Sequence, residues 1–191
     1  MEEQVKNESF YDKIASGYDE LYMAEQFSKI SEMMQALGAD IPKKTDRLLD
    51  VGCGTGISTS VWKSECVGID PSRELIAIAQ RNYPKRKFMV GKAESLPFPD
   101  QSFDVVISVT SIHNFDDVRK GIEEMKRVGK RLFIITALRK SAKIAEIEKL
   151  IILNFKINKI VVEEKDIIFI CGPRQWKGAS KTQDKSGSPS T

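Results

Sequence analysis

The stretch of this chain best equipped for chemistry is Leu48–Gly56, LLDVGCGTG. A short apolar run leads straight into Gly52, Gly54 and Gly56. Glycine lets a backbone turn sharply and approach a ligand closely, and a helix starting there offers unpaired N–H groups. A plain tight turn would use the same residues, so the neighbours decide. The dinucleotide fingerprint G-x-G-x-x-G needs its last glycine where this chain has Ile57. Eighteen residues after Gly52, the stretch VGIDPS ends a second apolar run in Asp70. A carboxylate at such a strand end is placed to accept hydrogen bonds from both hydroxyls of a ribose. The two features fit a nucleoside without a pyrophosphate better than NAD, which disfavours a nicotinamide oxidoreductase. A third stretch, SVTSIHNF over Ser108–Phe115, carries His113, the sole histidine. A neutral imidazole there is a natural general base near neutral pH. Alternatively, His113 caps the following helix or only shapes the pocket. A His-based zinc site or a catalytic triad would have to run through this one residue.

The elements that would position these groups follow from periodicity. Residues 9–22 read as a short helical lead-in, and Phe27, Ile30, Met33, Met34 and Leu37 mark a helix stopped by Gly38. Strands are expected over 48–51, 66–69, 87–90, 103–109 and 132–138. Helices are expected over 57–64, over 73–82 with Ser72 as cap, from Val118 to Val128, and from Ile144 to Phe155. Two closing strands, 157–163 and 166–171, are separated by a tight charged turn and must pair antiparallel. Parallel neighbours need crossover helices, so the alternation implies a mainly parallel sheet covered on both faces. Residues 176–191 are small and polar, and are expected to form a disordered tail.

The chain has 191 residues, 41% of them hydrophobic, which suits one domain with a real core. No apolar run approaches the ~20 residues of a membrane helix. The polar, acidic start lacks the build of a secretory signal, and three cysteines without a CxxC suit a reducing compartment. The expectation is a cytoplasmic protein. The net charge of +3 hides a split: residues 1–118 balance to −6 and residues 119–191 to +9. Either the basic half meets an acidic partner, or the halves interleave in one fold and the charges solvate its surface.

LLDVGCGTG, VGIDPS and GKAESLPFPDQSFDVVIS, in that order and spacing, resemble the class I S-adenosylmethionine-dependent methyltransferases. The closest likeness is to the methyltransferase type 11 domains, a subgroup that includes the ubiquinone/menaquinone enzymes, and it covers residues 9–171. The resemblance implies a Rossmann-like seven-stranded, mainly parallel sheet with an antiparallel last strand and helices on both faces. It divides the chain into an N-terminal cofactor-covering segment (1–24), a methyltransferase domain (25–175) and the tail.

It also implies S-adenosylmethionine as cofactor. Asp50 would lie near the methionine amino group, Gly52 and Gly54 would give room for the methionyl and ribose portions, and Asp70 would hold the ribose hydroxyls. The Ala93 backbone would meet the adenine ring. Such enzymes commonly carry Asp before that residue, whereas this chain has Lys92. Glu94 then either reaches the adenine or caps the following turn. In the lead-in YDKIASGYD, Tyr18 and less directly Tyr11 would touch the cofactor or simply pack. SVTSIHNF is not the Asn/Asp-Pro-Pro-aromatic motif of amine-methylating enzymes, and no compact carboxylate cluster stands out for a metal. With no inserted cap, an open site suits an RNA or protein acceptor or a partner subunit. Likeness to the quinone-type enzymes favours a small molecule. A non-catalytic methyltransferase-like partner subunit is the alternative.

Overall fold

The computed structural model describes residues 26–174. The lead-in with Tyr11 and Tyr18, and the tail over 176–191, lie outside the described residues. A helix covering residues 26–37, α1, ends at Gly38, where φ is +53°. β1 (Arg47–Val51) runs into α2 (Ile57–Ser60), and β2 (Glu65–Asp70) into α3 (Arg73–Asn82). There follow β3 (Lys87–Val90), β4 (Phe103–Ser108), a 3-10 turn over Ile112–Asn114, and α4 (Val118–Val128). β5 (Gly129–Leu138), α5 (Ile144–Asn154), β6 (Phe155–Val162) and β7 (Asp166–Pro173) complete the described chain.

The seven strands form one sheet in the order β3-β2-β1-β4-β5-β7-β6. β1 pairs in parallel with both β2 and β4, so the chain reverses its direction of travel across the sheet at β1. That is the place where an open α/β sheet leaves a crevice beyond its strand ends. The antiparallel strand β7 is not at the sheet's rim. It lies between β5 and β6 and runs against both.

Alternation along each strand sends side chains to two opposite cores. Leu49, Phe103, Phe133 and Phe169 pack beneath α4 and α5 with Ile122, Met125, Ile147 and Ile151. Their strand neighbours Leu48, Ile134, Ile168 and Ile170 pack on the other side with Ile30, Met33 and Leu37 of α1 and with Trp62. Strands buried on both faces read as unbroken apolar runs, which is why FDVVIS was legible.

Expected and observed elements differ chiefly at α2, which stops at Ser60 instead of 64. The apolar pattern continues through Val61 and Trp62, but the Trp62 side chain turns into the core. Arg86 collects the carbonyls left open there, donating to those of Ser60, Trp62 and Ser64.

The charge split interleaves. Lys130 meets Asp104 at 3.0 Å, Arg127 meets Asp100 at 2.8 Å, and Arg131 meets Asp46. In each case a cation of the second half is paired with an acid of the first. No helix among the described residues is long and apolar enough to cross a membrane.

Candidate functional site: the crevice beyond β1, β2 and β4

Gly52, Gly54 and Gly56 all have positive φ, at +76°, +53° and +86°. L residues with side chains pay a steric cost in this region, so the loop needs these glycines. The loop is tied to the next strand: the Gly52 and Cys53 N–H groups both donate to the Ile69 carbonyl, at 2.8 and 3.1 Å. Close approach matters most at Gly52, where a Cβ would stand 2.4 Å from Ser111 Oγ. Ser111 in turn donates to the Val51 carbonyl at 2.9 Å and lies 2.7 Å from Ser108 Oγ. The loop after β4 is therefore built directly against the glycine loop.

Asp70 ends β2 with its side chain buried. Its Oδ2 accepts the Gly54 N–H and its Oδ1 the Ser72 N–H, both at 2.9 Å. Each carboxylate oxygen has two lone pairs. Asp70 thus holds both the loop and the start of α3. Asp50 is fully buried at the end of β1. Its Oδ2 accepts from Ser58 Oγ at 2.6 Å and Thr59 Oγ1 at 2.7 Å, while its Oδ1 is buried with no partner among the described residues. Burial pushes its carboxyl up to about 6; the hydroxyls of Ser58 and Thr59 oppose this, and the charge of Asp70 adds to it. An orphaned buried oxygen beside a glycine cradle fits a ligand carrying a hydrogen-bond donor, as a methionine amino group would.

Beyond β3, Ala93 is buried. Lys92 sends its ammonium to Asp116, at 2.9 Å. Glu94 accepts the Asp117 N–H at 3.1 Å, just where Asp117 itself caps α4. Of the two roles open to Glu94, this contact serves the turn before α4.

Beyond β4, Thr110 has φ +52°, a costly conformation for a β-branched residue. Its N–H donates to Thr136 Oγ1 at 2.6 Å. His113 follows in the 3-10 turn, half-buried, with Nδ1 buried and without a partner among the described residues. Burial holds its imidazole below the usual range; Asp166 opposes this, while Lys143 and Lys29 reinforce it. Asp50, Gly52, Gly54 and Asp70 are thus gathered around the glycine loop, and His113 lies on the β4 side of it. Tyr18 lies outside the described residues. Sequence reasoning missed Ser58, Thr59 and Ser111. A run of small hydroxyl residues just after the glycines was the available signal for the first two.

Fold and site together define a Rossmann-like α/β domain with a glycine loop at the switch point of its sheet. Residues 49–133 match the methyltransferase domain family. The chain is 39% identical over 93 residues to the uncharacterized methyltransferase YcgJ of Bacillus subtilis, covering 44% of this chain and 37% of that one. It is 40% identical over 90 residues to the demethylmenaquinone methyltransferase of Chlorobaculum parvum, covering 45% and 37%. The match therefore spans little more than a third of the length of these relatives. Among solved structures, the complex between the Haloferax volcanii Trm112 methyltransferase activator and the putative methyltransferase shares the fold. Its TM-score is 0.71 at 18% identity, covering 86% of this chain and 98% of that one. Over residues 49–133 the chain is thus similar to the methyltransferase domains, and its fold is the one these solved structures share.

Proposed function

We propose that the protein binds S-adenosylmethionine in the crevice and transfers its methyl group to an acceptor lying over the ends of β4 and β5. The observation that carries this reading is the pairing of Asp50, with a free buried oxygen, and Asp70 on either side of a glycine loop that leaves no room for a side chain. When bound, the cofactor supplies a methyl group already activated by a sulfonium charge. Asp50 Oδ1 receives the methionine amino group, Asp70 the ribose hydroxyls, and the Ala93 backbone the adenine edge. Catalysis then rests on positioning, with deprotonation of the acceptor by a base. His113 is the base we assign. The acceptor is a small molecule or an exposed RNA or protein group, and a labelled methyl-transfer assay against extracts of each separates these classes. The solved complex with an activator supports a partner subunit as an added requirement. Three free, buried cysteines support a reducing, cytoplasmic setting.

Asp70→Ala tests the core of this reading. It removes two hydroxyl contacts to a charged acceptor, worth roughly 1.5–3 kcal/mol each, so S-adenosylmethionine affinity should fall at least tenfold in calorimetry. The variant should also melt lower, because the Gly54 and Ser72 amides lose their acceptor. Unchanged affinity would remove Asp70 from the site.

A further inference from the structure

β6 closes the sheet at one rim, with β7 on its inner side and no strand beyond it among the described residues. An open rim is a template for another extended chain, and proteins guard it with lysines, bulges or short strands. The first half of β6 is guarded in this way. Its register with β7 shifts between Ile157 and Lys159, and the Lys159 ammonium reaches the Ala36 carbonyl of α1 at 3.0 Å. The second half is not. Ile160 and Val162 are 47% and 60% exposed, although they stand opposite Phe169 and Ile167 on the face that α4 and α5 cover elsewhere. The opposite rim differs: β3 has four residues and a single exposed large apolar side chain, Val90. Backbone direction singles out the same two residues of β6. The Glu163 N–H donates inward, to the Asp166 carbonyl at 2.9 Å. N–H and C=O groups point alternately to either side of a strand, so those of Val162 and Ile160 point to the open rim.

We propose that this half-strand is the docking site for a second copy of the chain, the two β6 strands pairing antiparallel about a two-fold axis at Val161. Charge selects both the occupant and the register. β6 and its turn carry Lys159 on one side of Val161 and Glu163 on the other, so self-pairing sets each Lys159 opposite the partner's Glu163. Ile160 then lies opposite the partner's Val162, and each such pair exchanges both of its backbone hydrogen bonds. Sliding by two residues is the next step that keeps rim-facing groups paired. It puts Val162 opposite the partner's Asn158, or Ile160 opposite the partner's Glu164, and so loses the apolar match. Apolar and opposite-charge cross-strand pairs both favour the union. Lys159 keeps its bond to Ala36, since an ammonium has three donors. The contact is isologous and therefore closes at two copies. β6 runs in the same direction as β5, so antiparallel union sends the two crevices to opposite ends of the joined sheet, where neither faces the other.

Light scattering on the full chain should give twice the mass of one chain, falling toward that of one chain on dilution. Lys159→Glu and Glu163→Lys, each alone, set like charges opposite one another and should weaken the association at least about tenfold. Mixed in equal amounts, the two variants should associate again, because a mixed pair has opposite charges at both contacts. Val162→Pro deletes an N–H that β7 does not use, and should abolish the dimer while circular dichroism shows the fold retained. The mixing experiment does not depend on that variant folding. A single-chain mass for the full chain at about 0.1 mM overturns the proposal. A dimer seen only after removal of residues 175–191 overturns it as well, since the chain then covers its own rim. A dimer that none of the three substitutions weakens uses another surface, and overturns it too.

Discussion

Asp50 is the residue where burial and function pull hardest against each other. Its folded pKa of about 6 lies above its ordinary value of 3.8, because desolvation outweighs two hydroxyl donors. The folded state therefore holds the proton more tightly than the unfolded state does. The contribution of Asp50 to stability is fully present below about pH 4 and is lost as pH rises through about 6. The difference corresponds to about 3 kcal/mol once the group is ionised in both states. Asp50→Asn should therefore gain stability relative to the parent as pH rises from about 4 to about 7, while binding S-adenosylmethionine more weakly at pH 7. Melting curves of both proteins across that range, with calorimetry at the upper end, check both halves. A constant offset between the curves would show that Asp50 is not titrating in the window. At this scale the sequence was most informative about the glycines and Asp70, whose spacing is local. Ser111 could not be read in the same way. It reaches the Val51 carbonyl across the fold, and nothing near it in the chain marks it.

Among the elements, the tightest constraint is the seam between the glycine loop and the loop after β4. A methyl group at Gly52 would meet two obstacles: a backbone at φ +76° and Ser111 Oγ at 2.4 Å. Gly52→Ala should lower both melting temperature and cofactor affinity, and Ser111→Gly should be milder alone. The double variant should recover part of the loss, namely the collision but not the backbone strain. A double-mutant cycle measures this coupling, and strict additivity would show that the two loops do not bear on each other. The elements themselves were largely legible. α3 and β3 begin and end where capping and apolar runs place them, with Ser72 Oγ accepting the Leu75 N–H. α2 was overextended because Val61 and Trp62 continue an apolar pattern whose partner is the core, with Arg86 satisfying the backbone that the helix leaves open.

At the scale of the whole molecule, the −6/+9 split is crossed by ion pairs between the two halves. Among the described residues, the cations of Arg127, Lys130 and Arg131 are paired with acids from the opposite half, so these three are not open to an outside anion. Such exposed pairs add little stability, but they remove charge that a phosphate backbone would otherwise find. Bulk RNA should consequently bind with a shallow salt dependence, well short of the slope set by several phosphate contacts. A steep, linear log–log fall between low and physiological salt would restore RNA as the favoured acceptor. Charge counted along a chain says nothing of which residues become neighbours. The strand order had the same limit: the tight turn fixed β6 and β7 as antiparallel, but not that β7 would lie inside β6.

That placement bears on how the protein is made. β5 is flanked on one side by β4 and on the other by β7, the last of the described strands to be synthesised. Until residues 166–173 emerge, the growing chain carries β5 with one edge unpaired and with Phe133, Ile134 and Ile135 along it, all of them buried in the finished fold. Such an edge is a template for any other extended chain. β6 leaves the ribosome first, so it must hold off or be displaced before β7 can enter between them. The vulnerable period of this sheet is therefore the interval between the synthesis of β5 and that of β7, and a message cut just before β7 would leave an apolar strand edge exposed.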